Sequence, residues 1–145
     1  MQQNQDITLL QKVYHNASMG ERAARLMLEK SGGSGMSAKL SELAGQYASV
    51  RQEAAQELST FGEIPAQPGP AESAVQWMGV QLGALVDKSP SHMAQMLIMG
   101  STRNMVDSIG DIKQNHGANT RARQLAGRLV RVETDSLAAM KTYLS

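Results

Sequence analysis

The sequence has no cysteine, which excludes a disulfide framework and any thiolate metal site. Aromatic residues make up only 3 % of it, and Tyr14, Tyr47, Phe61, Trp77 and Tyr143 are all there are. So few stacking platforms argue against a single-strand nucleic-acid binder, and the shortage of aromatic and β-branched residues argues against a sheet. No uninterrupted apolar run is long enough to span a bilayer. The opening "MQQNQDITLL" has no apolar stretch of signal-peptide length, so the expected setting is cytoplasmic. There is no Gly-x-Ser-x-Gly elbow and no phosphate-binding glycine loop following a strand. "SGGSG" at Ser31 to Gly35 has the composition of a linker. The net charge of +1 is no footprint for nucleic acid.

What is present is helical. At 145 residues the chain is expected to form one domain, 1–145, with a core of its own. Leu10, Val13, Ala17, Gly20, Ala24 and Met27 recur at three- and four-residue steps and predict a helix from about Asp6 to Lys30. The glycines after it predict a short turn. A second helix is expected from a Ser37 cap to Phe61, burying Leu40, Leu43, Ala44, Tyr47, Val50, Ala54 and Leu58. "GEIPAQPGP" follows, and its prolines exclude helix and suit a long crossover. The third helix is expected to be broken. Its first part, Ala71 to Asp87, carries Val75, Met78, Leu82 and Leu85; Ser89 and Pro90 then cap and restart it as far as about Gln114. In this second part Ile98, Thr102, Met105, Ile109 and Ile112 form the expected inward stripe. Asn119 caps a last helix that points Leu125, Leu129, Val132, Leu137, Met140 and Leu144 inward.

"FGEIPAQPGPAESAVQWMGVQL", "SPSHMAQMLIMGSTRNM" and "RQLAGRLVRVETDSLAAMKTYL" resemble segments of an uncharacterised family of small, ferritin-like bacterial helical proteins. The resemblance implies an all-α, ferritin-like antiparallel four-helix bundle and brings no activity with it. Bundles of that kind hold two metals through lone glutamates on two helices and Glu-x-x-His on the other two. This sequence has no Glu-x-x-His; the nearest matches are "EAAQ" at Glu53 and "ETDS" at Glu133. The remaining candidate ligands are Glu21, Glu53 and Glu133, which would take iron or manganese if they converged. His15, His92 and His116 are scattered and lack ligand spacing.

Each candidate has a structural reading beside the functional one. Glu133 stands beside the apolar seam, level by count with Ser101 to Arg103, and a buried acid needs a partner such as Arg103 or Thr102. Across the glycine turn, Glu21 faces Arg51. Met93, Met96 and Met99 serve as core filler, or as an interface where they are exposed. Arg121, Arg128 and Arg131 line one side of the last helix, as a solvated face or as a grip for phosphate or an acidic partner. The expectation is a bundle without a complete metal site that acts through a helical protein partner or as a homo-oligomer. The alternatives are a carboxylate-bridged metal protein for iron storage or oxidant handling, and a binder of an acidic partner or nucleic acid.

Overall fold

The periodic apolar positions of the first two segments become helices α1 (Gln2–Ser31) and α2 (Met36–Thr60) in the structure, a computed structural model that describes residues 2–31, 35–66 and 89–144. The other described helices are α3 (Pro90–Gln114) and α4 (Thr120–Lys141), and no strand occurs among the described residues. The first half of the expected broken helix, with Val75, Met78, Leu82 and Leu85, lies outside the described residues, as does most of the proline-rich crossover.

Local chemistry sets the helix ends. Gly62, at φ 71°, takes the left-handed conformation after α2. Its N–H reaches Ser59 O, and the Glu63 N–H reaches Leu58 O, both at 3.0 Å, which ties off the last carbonyls of the helix. Ser89 caps α3 by accepting from the His92 N–H at 3.3 Å, with Pro90 in the first turn. Asn119 caps α4 through the Ala122 N–H at 2.8 Å. The expected Ser37 cap is corrected. Gly35 precedes α2, and Ser37 lies inside the helix with its hydroxyl 2.7 Å from that of Ser31.

α1 packs most extensively on α2, and α3 on α4; α1 also meets α3, and α2 meets α4. Side-chain contacts mark where the helices meet. Gln11 meets Ile64 while Ser31 meets Ser37; Arg121 meets Glu57 while Arg128 meets Ser49; Lys12 meets Asp111 while Asn16 meets Ser108. The turn between α3 and α4 is held to the start of α1, where Gln5 accepts from the Gly117 N–H and Asp6 from the Asn119 N–H.

The core has two parts. One, around Leu9, Leu10, Val50, Leu58, Leu125 and Leu129, is aliphatic. The other gathers Met27, Met36, Met93, Met96 and Met140 around Leu40 and Leu43. The inward stripe expected on α3 is corrected: Thr102 and Ile109 are exposed, while the buried face carries Met93, Leu97, Ser101, Asn104 and Ser108. Small polar residues occupy the inner half-face there, so apolar periodicity pointed to the neighbouring stripe. Leu144, expected to point inward, is exposed.

Where α1 crosses α2, Gly20 admits the ring of Tyr47. A Cβ at Gly20 would lie 2.6 Å from Tyr47 Cδ1 and closer still to Cε1. Gly45 and Gly127 have open space instead. In an ordinary helix interior, Gly→Ala stabilises by up to about 1 kcal/mol. We predict that gain for Gly45→Ala and Gly127→Ala, and the opposite sign for Gly20→Ala, a loss of about 1–3 kcal/mol through overpacking. Denaturant midpoints of the three variants check it; a Gly20→Ala protein as stable as its siblings would show that the helix crossing is not set by this contact.

Candidate functional site

Between the two parts of the core lies a layer of buried polar side chains drawn from all four helices. α1 supplies Asn16, α2 Tyr47, α3 Ser101, Asn104 and Ser108, and α4 Glu133 and Ser136. The spacings of 101, 104 and 108, and of 133 and 136, put each set on one face of its helix. Ser108 donates to Glu133 Oε1 at 3.3 Å, and Asn16 Nδ2 donates to Ser108 Oγ at 3.3 Å and to Asp111 Oδ2 at 3.2 Å. Asn104 Nδ2 donates to the Asn16 carbonyl at 3.1 Å, and Ser101 and Ser136 share a hydrogen bond of 3.3 Å.

Glu133 is completely buried. Burial pushes its carboxyl up to about 8; Asp107 adds to the rise, while hydrogen bonds from Ser108 and Asn104 oppose it. No cation faces it. Burial, and then the charge of Glu133, likewise raise the hydroxyl of Tyr47, which also meets Ser101. Asp111 is raised by burial against the pull of Lys12 and Asn16. Two acceptors of the layer, Asn104 Oδ1 and Glu133 Oε2, have no partner among the described residues. A proton on Glu133 turns one of these two acceptors into a donor, so the neutral acid suits the layer better than the carboxylate.

Arg103 is not the partner of Glu133. It is exposed, because it follows Thr102 and precedes Asn104 on the helix and so stands about 100° away from the buried Asn104. Glu133 is instead level with Ser108, and Ser136 takes the level of Ser101.

The other two candidate metal ligands stand in separate settings. Arg51 Nε binds Glu21 Oε1 at 2.7 Å, and Arg25 binds Oε2 at 2.9 Å. Burial alone would raise the Glu21 carboxyl, but the two guanidinium groups together hold it below the ordinary value. The Glu21–Arg51 pair expected from the sequence is formed. Glu53 is clasped from α4 by Arg128 and by Arg121, the latter at 2.9 Å, and Arg121 also reaches Glu57 at 3.2 Å. Burial raises Glu53 too, and again two arginines outweigh it. Among the described residues no three acidic or histidine side chains are grouped to hold a metal ion. Glu21, Glu53 and Glu133, the candidate iron or manganese ligands, are not brought together: two of the acids have their counter-charges on arginine, and the third is buried apart from them. The candidate anion-binding residues Arg121, Arg128 and Arg131 divide in the same way. Two of these three guanidiniums are spent on Glu53 and Glu57, and only Arg131 stands exposed without a partner among the described residues.

The methionines divide. Met93 and Met96 are buried in the core, whereas Met99 is 60 % exposed. Val106, 61 % exposed, and Ile109, 38 % exposed, lie farther along the same side of α3. Gln95, Met99, Thr102, Val106, Ile109 and Lys113 are all exposed, at alternating steps of four and three. This is the seam spacing of a coiled coil, facing away from the bundle. The apolar-moment logic of the sequence named Met99 but not Val106 or Ile109 as surface residues; removing the buried positions 101, 104 and 108 first would have exposed the pattern.

Linkage gives Glu133 a measurable signature. Its folded value is raised above the ordinary 4.5, so the folded protein holds a proton that the unfolded chain releases. Stability from this group is full at acidic pH, falls as pH rises past the ordinary carboxyl range, and levels off above about 8. Asp111 acts in the same sense at the acidic end, whereas Glu21 and Glu53 act in the opposite sense, losing stability as pH falls below the ordinary range. We predict that wild-type Tm declines between about pH 5 and pH 9. Glu133→Gln should match wild type near the acid end and exceed it at the alkaline end, by on the order of 3–5 kcal/mol. Parallel Tm curves for the two proteins across that range would refute the buried acid.

No helix among the described residues is long and apolar enough to cross a membrane. No protein-family model, curated protein or solved structure matches the chain.

Proposed function

We propose that the chain is a ferritin-like bundle without a working metal centre and that it acts through protein association, using the outer seam of α3. The opposed numbering of α1 with α2, α3 with α4, α1 with α3 and α2 with α4 supports an antiparallel, up-down-down-up arrangement. Such an order needs a long crossover between α2 and α3, and residues 61–89 supply the length. The observation that carries the functional reading is the seam itself. Three large apolar side chains, Met99, Val106 and Ile109, stand exposed in coiled-coil register on one helix, while the interior of the bundle offers no cation-binding group of acids among the described residues. An exposed apolar row gains free energy when another surface covers it. A helical partner presents the matching row, and a second copy is the simplest such partner. The cytoplasm, where a chain without cysteine is at no disadvantage, is the setting we assign.

We predict that the purified protein self-associates and that Met99→Glu with Val106→Glu makes it monomeric. Both positions are exposed, so Tm should stay within that of ordinary surface substitutions, about 0.5 kcal/mol. Sedimentation equilibrium and thermal melts read the two effects separately. Unchanged association in the double variant would remove the seam from the function.

A further inference from the structure

The surroundings of Glu133 suit one charge state only. Its side chain has no exposed surface; Oε1 accepts from Ser108 at 3.3 Å, and Oε2 has no partner among the described residues. From α3 come Asp107, whose charge opposes a second one, and Asn104, whose amide favours it. From α2 comes the Tyr47 hydroxyl, kept protonated by burial and by the charge of Glu133 itself. α1 contributes the uncharged Asn16 by way of Ser108, while Lys12 and His15 of that helix act on Asp111. The nearby charges of α4, Arg131 and Asp135, are exposed. A carboxylate at this place therefore meets no cation among the described residues, and only water can complete its hydrogen bonds.

The two sides of the layer are fastened differently. On the leucine side, Gln5 and Asp6 hold the turn between α3 and α4, and Gln11 binds the backbone of Ile64 and Ala66. On the other side α3 begins and α4 ends, and Met93, Leu97 and Met140 join them to Met27, Met36, Leu40 and Leu43 by apolar contact. Unbranched thioether side chains adapt readily to a displaced neighbour. The bond of the layer nearest that side is the one between Ser101 and Ser136, at 3.3 Å.

We propose that loss of the proton from Glu133 releases the start of α3 and the end of α4 from the methionine-rich half of the core, while the leucine side stays packed, and that Met93 and Met140 then become open to oxidation by a hydroperoxide. With the proton in place both are shut in, at 1 % and 0 % exposure. In the released state a sulfur lone pair forms the S–O bond and the O–O bond of the peroxide breaks. The proton of the attacked oxygen passes to the departing one, which leaves as water when the oxidant is hydrogen peroxide, and the thioether has become a sulfoxide. The layer thus gates a covalent modification with a proton. The packed state holds a proton that the released state gives up. Release is therefore rarest at acidic pH, grows as pH rises past the ordinary carboxyl range, and levels off above about 8.

Peptide-resolved oxidation of the whole chain by hydrogen peroxide tests this. A thioether has no proton to lose, so its rate reports access. Met99, 60 % exposed, is the internal reference. Relative to Met99, Met93 and Met140 should react on the order of tenfold faster, or more, at about pH 9 than at about pH 6 in wild type, and equally at both in Glu133→Gln. Amide exchange, read in parallel, should show Leu125 and Leu129 still protected at the alkaline end. Should the variant not fold, the wild-type profile takes its place: a rise without a plateau above about 8 assigns the release to another group and overturns the proposal. Met93 and Met140 equally protected at both pH values, or an equal rise in Glu133→Gln, overturns it as well. If Leu125 and Leu129 lose protection together with the methionines, the bundle unfolds as a whole and no half of it is gated.

Discussion

The structure depends on the burial of Glu133. An acid with no exposed surface and no cation beside it among the described residues costs several kcal/mol as a carboxylate, so its surroundings must either supply donors or keep it protonated. Ser108 supplies one donor, and the rise of its carboxyl to about 8 keeps the proton on at neutral pH. From this requirement the rest of the layer follows. Ser108 is held in turn by Asn16 from α1, Asn16 takes Asn104 at its carbonyl, and Ser101 meets Ser136 one helical turn away. Sliding α3 or α4 by a single turn would strand several of these groups at once. Apolar packing alone tolerates such shifts, because one methylene surface resembles another. The polar layer therefore fixes the relative level of the helices, while the aliphatic and methionine-rich regions on either side supply most of the burial.

Outside the core, several charged groups of α1, α2 and α4 are occupied with one another. Glu21 binds Arg51 and Arg25; Glu53 and Glu57 bind Arg121, and Glu53 also binds Arg128. Pairs this exposed contribute little each to stability, about 0–1 kcal/mol. Their larger effect is on chemistry. A carboxylate already clasped by two guanidiniums is a poor cation ligand, and a guanidinium already clasped by carboxylates is a poor anion site. The same contacts fasten α1 to α2 and α2 to α4.

Much of the fold was legible in the sequence. Ser89–Pro90 and Asn119 marked helix starts that the structure confirms, and Leu40 to Leu58 on α2 fell on the buried face as the periodicity required. α3 was misread for a physical reason. Its buried face holds Ser101, Asn104 and Ser108, small polar residues whose inward role depends on partners in other helices and leaves no mark in apolar spacing. The same blindness hid the partner of Glu133: the count of turns placed Arg103 or the Thr102 hydroxyl beside it, whereas the protein uses the hydroxyl of Ser108. Glu21–Arg51 was readable because both residues flank a short turn, so counting residues across it was enough. The Arg121–Glu53 and Arg128–Glu53 contacts span two helices far apart in the chain, and no local signal announces them.

The division of the core also gives the bundle a stiff end and a soft end. The end built from leucine, valine and alanine is covered by the turn between α3 and α4, which Gln5 and Asp6 hold down. The opposite end is filled by five methionines, whose unbranched side chains fit irregular gaps through several rotamers each. The polar layer stands between them like a bulkhead. Fluctuations that begin among the thioethers, at the start of α3 and the close of α4, reach that layer before they reach Leu9, Leu10, Leu58, Leu125 and Leu129. The protein can therefore breathe at one end while the other stays shut, and amide exchange along each helix would be graded, faster on the methionine side of Asn104 and slower beyond it.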